Sequence, residues 1–223
     1  MALSDYQGET IIDSITIKQG KKHFNNLWMP RTVFNDPHGK DAFIIGNGES
    51  RIGFDLYSLP QDALYRDYEP DYLIVVDQMM YKEILQNEYD QKNTVYTNRN
   101  NIKKHGGSTN LIPNNPHKGA GTTAMHIAIH DGHTRLFCIG FDCAEDGPNI
   151  NVYKDTPCYD KAKSIANLSL WGKQIYALAL DHPDVSFVFV DGNLPSDLMY
   201  LANCSTISYD QLNTHINTSN ETA

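Results

Sequence analysis

Gly46-Asn-Gly-Glu-Ser50 follows directly on the apolar run Ala42-Phe-Ile-Ile45. A strand running into a Gly-x-Gly turn makes an anion cradle. Glycine lets the backbone approach a phosphate, and the free N–H groups of the helix start beyond it point at the charge. Asn47 and Ser50 add side-chain hydrogen-bonding groups. Arg51 and Ile52 stand where a dinucleotide fingerprint has its third glycine, so a plain turn is the competing reading. Lys118-Gly-Ala-Gly-Thr-Thr-Ala124 is a second start of this kind. Gly121, Thr122 and Thr123 open an apolar helix whose N–H groups and hydroxyls suit a phosphate, with Thr122 as an ordinary N-cap the alternative. The chain lacks Gly-x-x-x-x-Gly-Lys-Ser/Thr, which excludes a standard P-loop NTPase.

Three apolar runs end near aspartate: Val76-Asp77, Gly140-Phe-Asp142 and Val190-Asp191-Gly192. A single aspartate in such a place caps a helix or makes a turn. Several on one rim can hold a divalent cation such as Mg2+ or bind sugar hydroxyls. Asp77 is the candidate metal ligand and a candidate catalytic residue. The segment Gly147 to Pro157 follows the Asp142 strand and overhangs the same rim. Within it Tyr153, Lys154 and Asp155 offer a base, a phosphate contact and an orienting carboxylate, or plain solvated decoration. His126 and His130 lie four apart on one helix face, but the glutamate of His-Glu-x-x-His is absent, and a half-exposed helix face explains them.

Composition sets the frame for these groups. The 223 residues, 40% hydrophobic and 20% charged, suit one soluble domain with arms. The net charge of −9 opposes nonspecific binding to nucleic acid. No run reaches the length of a membrane span, and Met1 to Gly20 has no secretion-signal pattern. Cys138, Cys143, Cys158 and Cys204 form no Cys-x-x-Cys pair. Free thiols and a cytoplasmic location are therefore expected, the host cytoplasm if the chain is phage-encoded.

Residues 1–40 read as an N-terminal extension with a strand at Ser14–Lys18, packing on the domain, on a second copy or on a particle partner. From Asp41 strands and helices alternate. Strands are expected at Ala42–Ile45, Tyr72–Val76, Thr94–Thr97, Arg135–Ile139 and Val185–Val190, each a short apolar run of the kind buried parallel strands have. Helices are expected at Arg51–Leu59, Gln78–Gln86, Thr122–Asp131 and Lys163–Asp181. In the last, Ile165, Leu168, Trp171, Ile175 and Leu178 make one apolar face. Asn98 to Gly121 reads as a long surface loop. The tail from Thr214 reads as polar and frayed. These elements predict an α/β, Rossmann-like three-layer sandwich over residues 41–213 with a mostly parallel central sheet, and a polar tail at 214–223. In such sheets ligands bind beyond the carboxyl ends of the strands.

Phe43-Ile-Ile-Gly-Asn-Gly-Glu-Ser-Arg51 and the stretch from Gly121 through Ile139-Gly-Phe-Asp142 together resemble a Rossmann-like superfamily. It includes bacterial lipooligosaccharide sialyltransferases, motility-associated nonulosonate transferases and 6-hydroxymethylpterin diphosphokinase-like proteins. Uncharacterised tailed-phage members share it, with Asn151-Val-Tyr-Lys-Asp-Thr156. The resemblance runs from Ala42 to Gly192. It implies a nucleotide held by Gly46–Ser50 and Gly121–Thr123, with Asn47 on phosphate or ribose and Asp142 beside base or sugar. In the transferases the donor is a nucleotide-activated sugar, so a glycosyltransferase is the leading expectation. Pyrophosphate transfer to a pterin-like alcohol, with Mg2+, and a non-catalytic phage assembly protein are the alternatives.

Two departures stand out. The sialyltransferases place a histidine base after the Gly-x-Asp strand, whereas Asp142 to Asp181 contains no histidine. Tyr153 or Asp155 is its expected replacement. The family also has a strand ending in asparagine before the Asp77 strand. Leu59 to Tyr65 leaves no room for it, and Ser14–Lys18 is the segment that could fill the gap.

Overall fold

The structure, a computed structural model, describes residues 15–18, 21–24, 41–56, 63–65, 68–112, 119–142, 152, 168–192, 194 and 196–221. It is an α/β sandwich. Strands β1 (Ile15–Lys18) and β2 (Lys21–Phe24) precede it, and it begins with β3 (Asp41–Ile45). After β4 (Ala63–Tyr65) and β5 (Tyr68–Glu69) come β6 (Leu73–Val75), α1 (Gln78–Gln86), β7 (Val95–Thr97), α2 (Arg99–His105) and β8 (Asn110–Leu111). The chain continues through α3 (Ala120–His130), β9 (Arg135–Ile139), α4 (Leu168–Asp181), β10 (Ser186–Val190), β11 (Cys204–Ile207) and α5 (Tyr209–Glu221).

The parallel strands fall in two sheets, of order β11-β10-β9-β3 and β6-β7-β8, rather than in one ladder. Helix α3 packs on both β3 and β6 and so spans them. From β3 the chain goes to β6, β7 and β8, then returns through α3 to β9, which pairs with β3. Strand β3 is thus an edge strand of the four-stranded sheet, with β9 its parallel neighbour.

Period-two alternation sorts the core into layers. Leu136 and Cys138 of β9, with Phe187 and Phe189 of β10, face Met125 and Ala128 of α3 and Ile175 and Leu178 of α4. Phe137, Ile139, Val188 and Val190 face Leu212 and Ile216 of α5. At the amino edge Asp41 of β3 binds Arg135 of β9 (2.6 Å) and His215 of α5 (2.6 Å), tying three elements together. Cys138 and Cys204 are free thiols, and burial pushes Cys204 up to about 11. No helix among the described residues is long and apolar enough to cross a membrane.

Several expectations are corrected. Over residues 51–56 of the expected helix no α-helix forms, and the 3-10 turn Glu49–Arg51 stands at its start; residues 57–59 lie outside the described residues. The Ser50 carbonyl that an α-helix would offer to Phe54 instead accepts the Tyr209 hydroxyl at 2.7 Å, and Gly53 turns to φ +95°. The segment read as a loop from Asn98 contains α2. Asn98 caps it through Asn101 N–H (3.0 Å), Lys103, Lys104 and His105 lie in its last turn, and Gly106 ends it at φ +72°. Strand β1 pairs antiparallel with β2 and fills no gap in the parallel sheets. Ala63–Tyr65 does form a strand, but in an antiparallel hairpin with β5. The tail is not frayed from Thr214: α5 runs to Glu221, with Ile216 buried. The part of the expected helix at 163–167 lies outside the described residues.

Candidate functional site

The glycine loop leaves β3 at the carboxyl edge and stays zipped to the loop that leaves β9. Gly46 N–H donates to the Ile139 carbonyl (2.7 Å) and Gly48 N–H to the Gly140 carbonyl (2.8 Å). Ser50 N–H donates to Asp142 Oδ2 (2.9 Å). A Cβ on Gly46 would stand 2.4 Å from the Gly140 oxygen, and one on Gly48 2.3 Å from Asp142 Oδ2. Gly48 has φ −70°, so its backbone suits any residue. These glycines are required because two loops touch. The N–H groups of Gly46, Gly48 and Ser50 are thus all committed to the β9 side. The Ser50 hydroxyl is different. It is buried without a hydrogen-bond partner among the described residues.

Helix α3 supplies the other half of the rim. It starts at Ala120 with Gly119 as N-cap and no side-chain cap, so Thr122 is not the cap but a buried first-turn residue. Thr123 is fully buried, and its hydroxyl donates back to the Gly119 carbonyl (2.8 Å), which removes it from any phosphate. The Gly119 N–H donates to Gln174 Oε1 of α4 (3.2 Å). The Phe141 ring lies between the two glycine segments. A Cβ on Gly46 would meet it at 3.2 Å and one on Gly121 at 2.8 Å. Both segments thus sit on one carboxyl rim, on either side of that ring.

Asp77 stands apart, at the end of β6 in the other sheet. It caps α1, its Oδ1 accepting Met79 N–H (2.7 Å) and Met80 N–H (3.1 Å). Among the described residues there is no group of three or more His, Cys, Asp or Glu suited to a metal. Tyr153, Lys154 and Asp155 lie outside the described residues. Their neighbour Val152 donates its N–H to the Asn47 carbonyl (2.9 Å), so the chain meets the glycine loop one residue before Tyr153.

Sequence reasoning missed two residues here. Arg51 is only 6% exposed, turned inward beside the loop. Tyr209 stacks on Phe54 (4.6 Å). Burial, with the charges of Asp191 and Asp142, pushes the Tyr209 hydroxyl up to about 12 against the opposing Arg51. The adjacency of Arg51 to Ser50 was a signal for the first. Nothing local signals Tyr209, 159 residues away from the Ser50 it binds.

No family model matches the chain, and no curated protein matches it. The chain is similar to a solved structure described as the sialyltransferase CST-II in complex with trisaccharide acceptor and CMP. Identity is 16% over 72% of this chain and 83% of that chain, with a TM-score of 0.38. At that likeness no residue of one site is put in correspondence with a residue of the other.

Proposed function

We propose that this protein is a nucleotide-dependent transferase, of the kind that moves a sugar from a nucleotide-activated donor. The observation that carries it is the start of α3 without a side-chain cap, on the same carboxyl rim as the glycine loop, with Phe141 between the two. The sequence resemblance supplies the class of ligand. The donor set fits a nucleotide: an uncapped first turn for its phosphate, the partnerless Ser50 hydroxyl, and the side chain of Asn47.

In this reading the α3 start, at Ala120, Gly121 and Thr122, holds the leaving phosphate in a fixed field. That is the largest contribution such a site offers. Gly46, Gly48 and Asp142 set the loop's shape, and Asp142 borders the sugar or base. Lys154 adds a phosphate contact, and Tyr153 or Asp155 takes the acceptor proton. Asp77 caps α1 through Oδ1, and no step in this reading runs through a metal.

The test is thermal unfolding with a panel of nucleotides and nucleotide sugars. A ligand at about 100 times its Kd stabilises by about 2.7 kcal/mol, a rise of about 5–10 °C for a chain of this size. No shift with any member of the panel would overturn the proposal. AMP release from ATP would move the activity to pyrophosphate transfer. A second reading, a non-catalytic interaction protein on the same fold, is favoured by the glycine loop's N–H groups being committed within the protein. It becomes the first if nothing binds.

A further inference from the structure

Helix α4 has two faces. Ile175, Leu178 and Ala179 are buried in the core beneath it. The opposite face carries Leu170, Lys173, Ala177, Leu180 and Asp181, all exposed. Leu170, Lys173, Ala177 and Leu180 follow one another at spacings of three, four and three, which keeps them in one stripe along the helix. A surface helix ordinarily turns polar side chains to water. Here both ends of the stripe are leucine, 46% and 52% exposed, and alanine near its middle lets another backbone come close. Lys173 and Asp181 are the charges on this face, and neither has an ion pair among the described residues.

The stripe is complementary to itself in one orientation. Two α4 helices laid antiparallel about the level of Ile175 set Leu170 of each copy against Leu180 of the other. The stem of Lys173 then lies over Ala177 of the second copy. Helical side chains lean toward their own N-terminus, so Lys173 and Asp181 of the second copy lean toward each other. The axial gap between them is four residues, about 6 Å, which a lysine stem spans. The two Lys173 side chains lean apart. A parallel pair would instead set Lys173 against Lys173 and Asp181 against Asp181, like against like. We infer that the exposed face of α4 is a docking surface for a second copy of this chain, paired antiparallel about a two-fold axis. This inference stands apart from the proposed nucleotide site.

A helix pair of this length buries less than the standard interface of about 800 Å² per partner, so the dimer should be weak, with Kd of about 1–100 μM. The test is sedimentation equilibrium of the full chain across that range at low salt. Lys173→Glu and Asp181→Lys should each weaken the dimer at least about tenfold, since each turns two attractions into two repulsions. The double variant Lys173→Glu with Asp181→Lys should return Kd to within about threefold of the parent. Leu180→Ser should weaken the dimer at least about tenfold without lowering the Tm of the monomer. A chain that stays monomeric up to about 500 μM overturns the inference. A dimer that Leu180→Ser and both single charge variants leave intact uses another face, and overturns it too. Single charge variants that weaken the dimer without rescue in the double variant overturn the antiparallel pairing.

Discussion

Replacing Gly48 with alanine puts a methyl carbon 2.3 Å from Asp142 Oδ2, 2.6 Å from its Cγ and 2.7 Å from the Gly140 oxygen. None of these contacts survives, so something must move. The backbone itself imposes no strain, since φ is −70° and ψ 151°. Removing a glycine from the unfolded chain would by itself stabilise by about 0.4–1 kcal/mol. Against that, Asp142 must swing away and lose its bond from Ser50 N–H. A hydrogen bond to a charged group is worth about 1.5–3 kcal/mol, taken at the lower end for a half-buried pair. The Gly140 carbonyl must also retreat from Gly48 N–H, costing a further share of about 0.5–1.5 kcal/mol. The net expectation is a loss of about 1–3 kcal/mol, within the range for overpacking a closed site.

The assay is urea unfolding of four proteins: parent, Gly48→Ala, Asp142→Ala and the double variant. Asp142→Ala removes two of the three clashing atoms. In that background Gly48→Ala should cost no more than about 1 kcal/mol, a coupling of about 1–2 kcal/mol between the sites. A Gly48→Ala protein as stable as the parent, or strictly additive effects, would refute the claim that Gly48 exists to admit the β9 loop.

Further expectations are testable on the same protein. Burial raises the Asp41 carboxyl, but the bonds from Arg135 and His215 outweigh it and hold it below the usual carboxylate value. Its contribution is therefore present above about pH 4 and lost as pH falls through the lowered value. Asp41→Asn should flatten this acid limb in urea unfolding, and a limb parallel to the parent's would contradict it. Tyr209, raised to about 12, has the opposite sign. Its contribution is full below about pH 10 and lost as pH climbs through 12, so Tyr209→Phe should remove that alkaline loss and cost about 0.5–1.5 kcal/mol at neutral pH. Gly119→Ser should cap α3, leaving stability level or a few tenths of a kcal/mol higher while weakening nucleotide binding at least about threefold. Tyr153→Phe or Asp155→Asn should cut turnover by about 100-fold with donor affinity unchanged. If neither variant affects an active parent, the base lies elsewhere.

What the sequence discloses depends on how local the cause is. Strands β3, β9 and β10 are legible because each is a continuous apolar run, and α3 and α4 because small or periodic apolar residues fill them. Helix α2 carries every boundary sign, an asparagine cap, a basic last turn and a glycine stop, yet its Asn- and Lys-rich interior reads as loop. In α5 the polar residues hide a short stripe, Leu212 and Ile216, that faces β9 and β10. The glycines were found, but their reason was not. It depends on the β3–β9 register, which sets Ile45 against Ile139 and so brings Gly46 to Gly140 and Gly48 to Asp142.

That register divides the rim into unequal halves. On the β3 side of Phe141 the N–H groups of Gly46, Gly48 and Ser50 already have acceptors, and a ligand taking those groups would have to break bonds that hold the fold. On the α3 side Gly119 gives the first turn no side-chain cap. A phosphate therefore has its best-prepared partner in α3, with the glycine loop acting as a rigid wall whose Ser50 hydroxyl faces no protein acceptor among the described residues. The two halves then respond differently to mutation. Changes at Gly46 or Gly48 act on stability first and on binding through it. On the proposed function, changes at Gly119 should act on binding with the fold intact. A scan in which both sets behave alike would mean that the rim is not divided in this way.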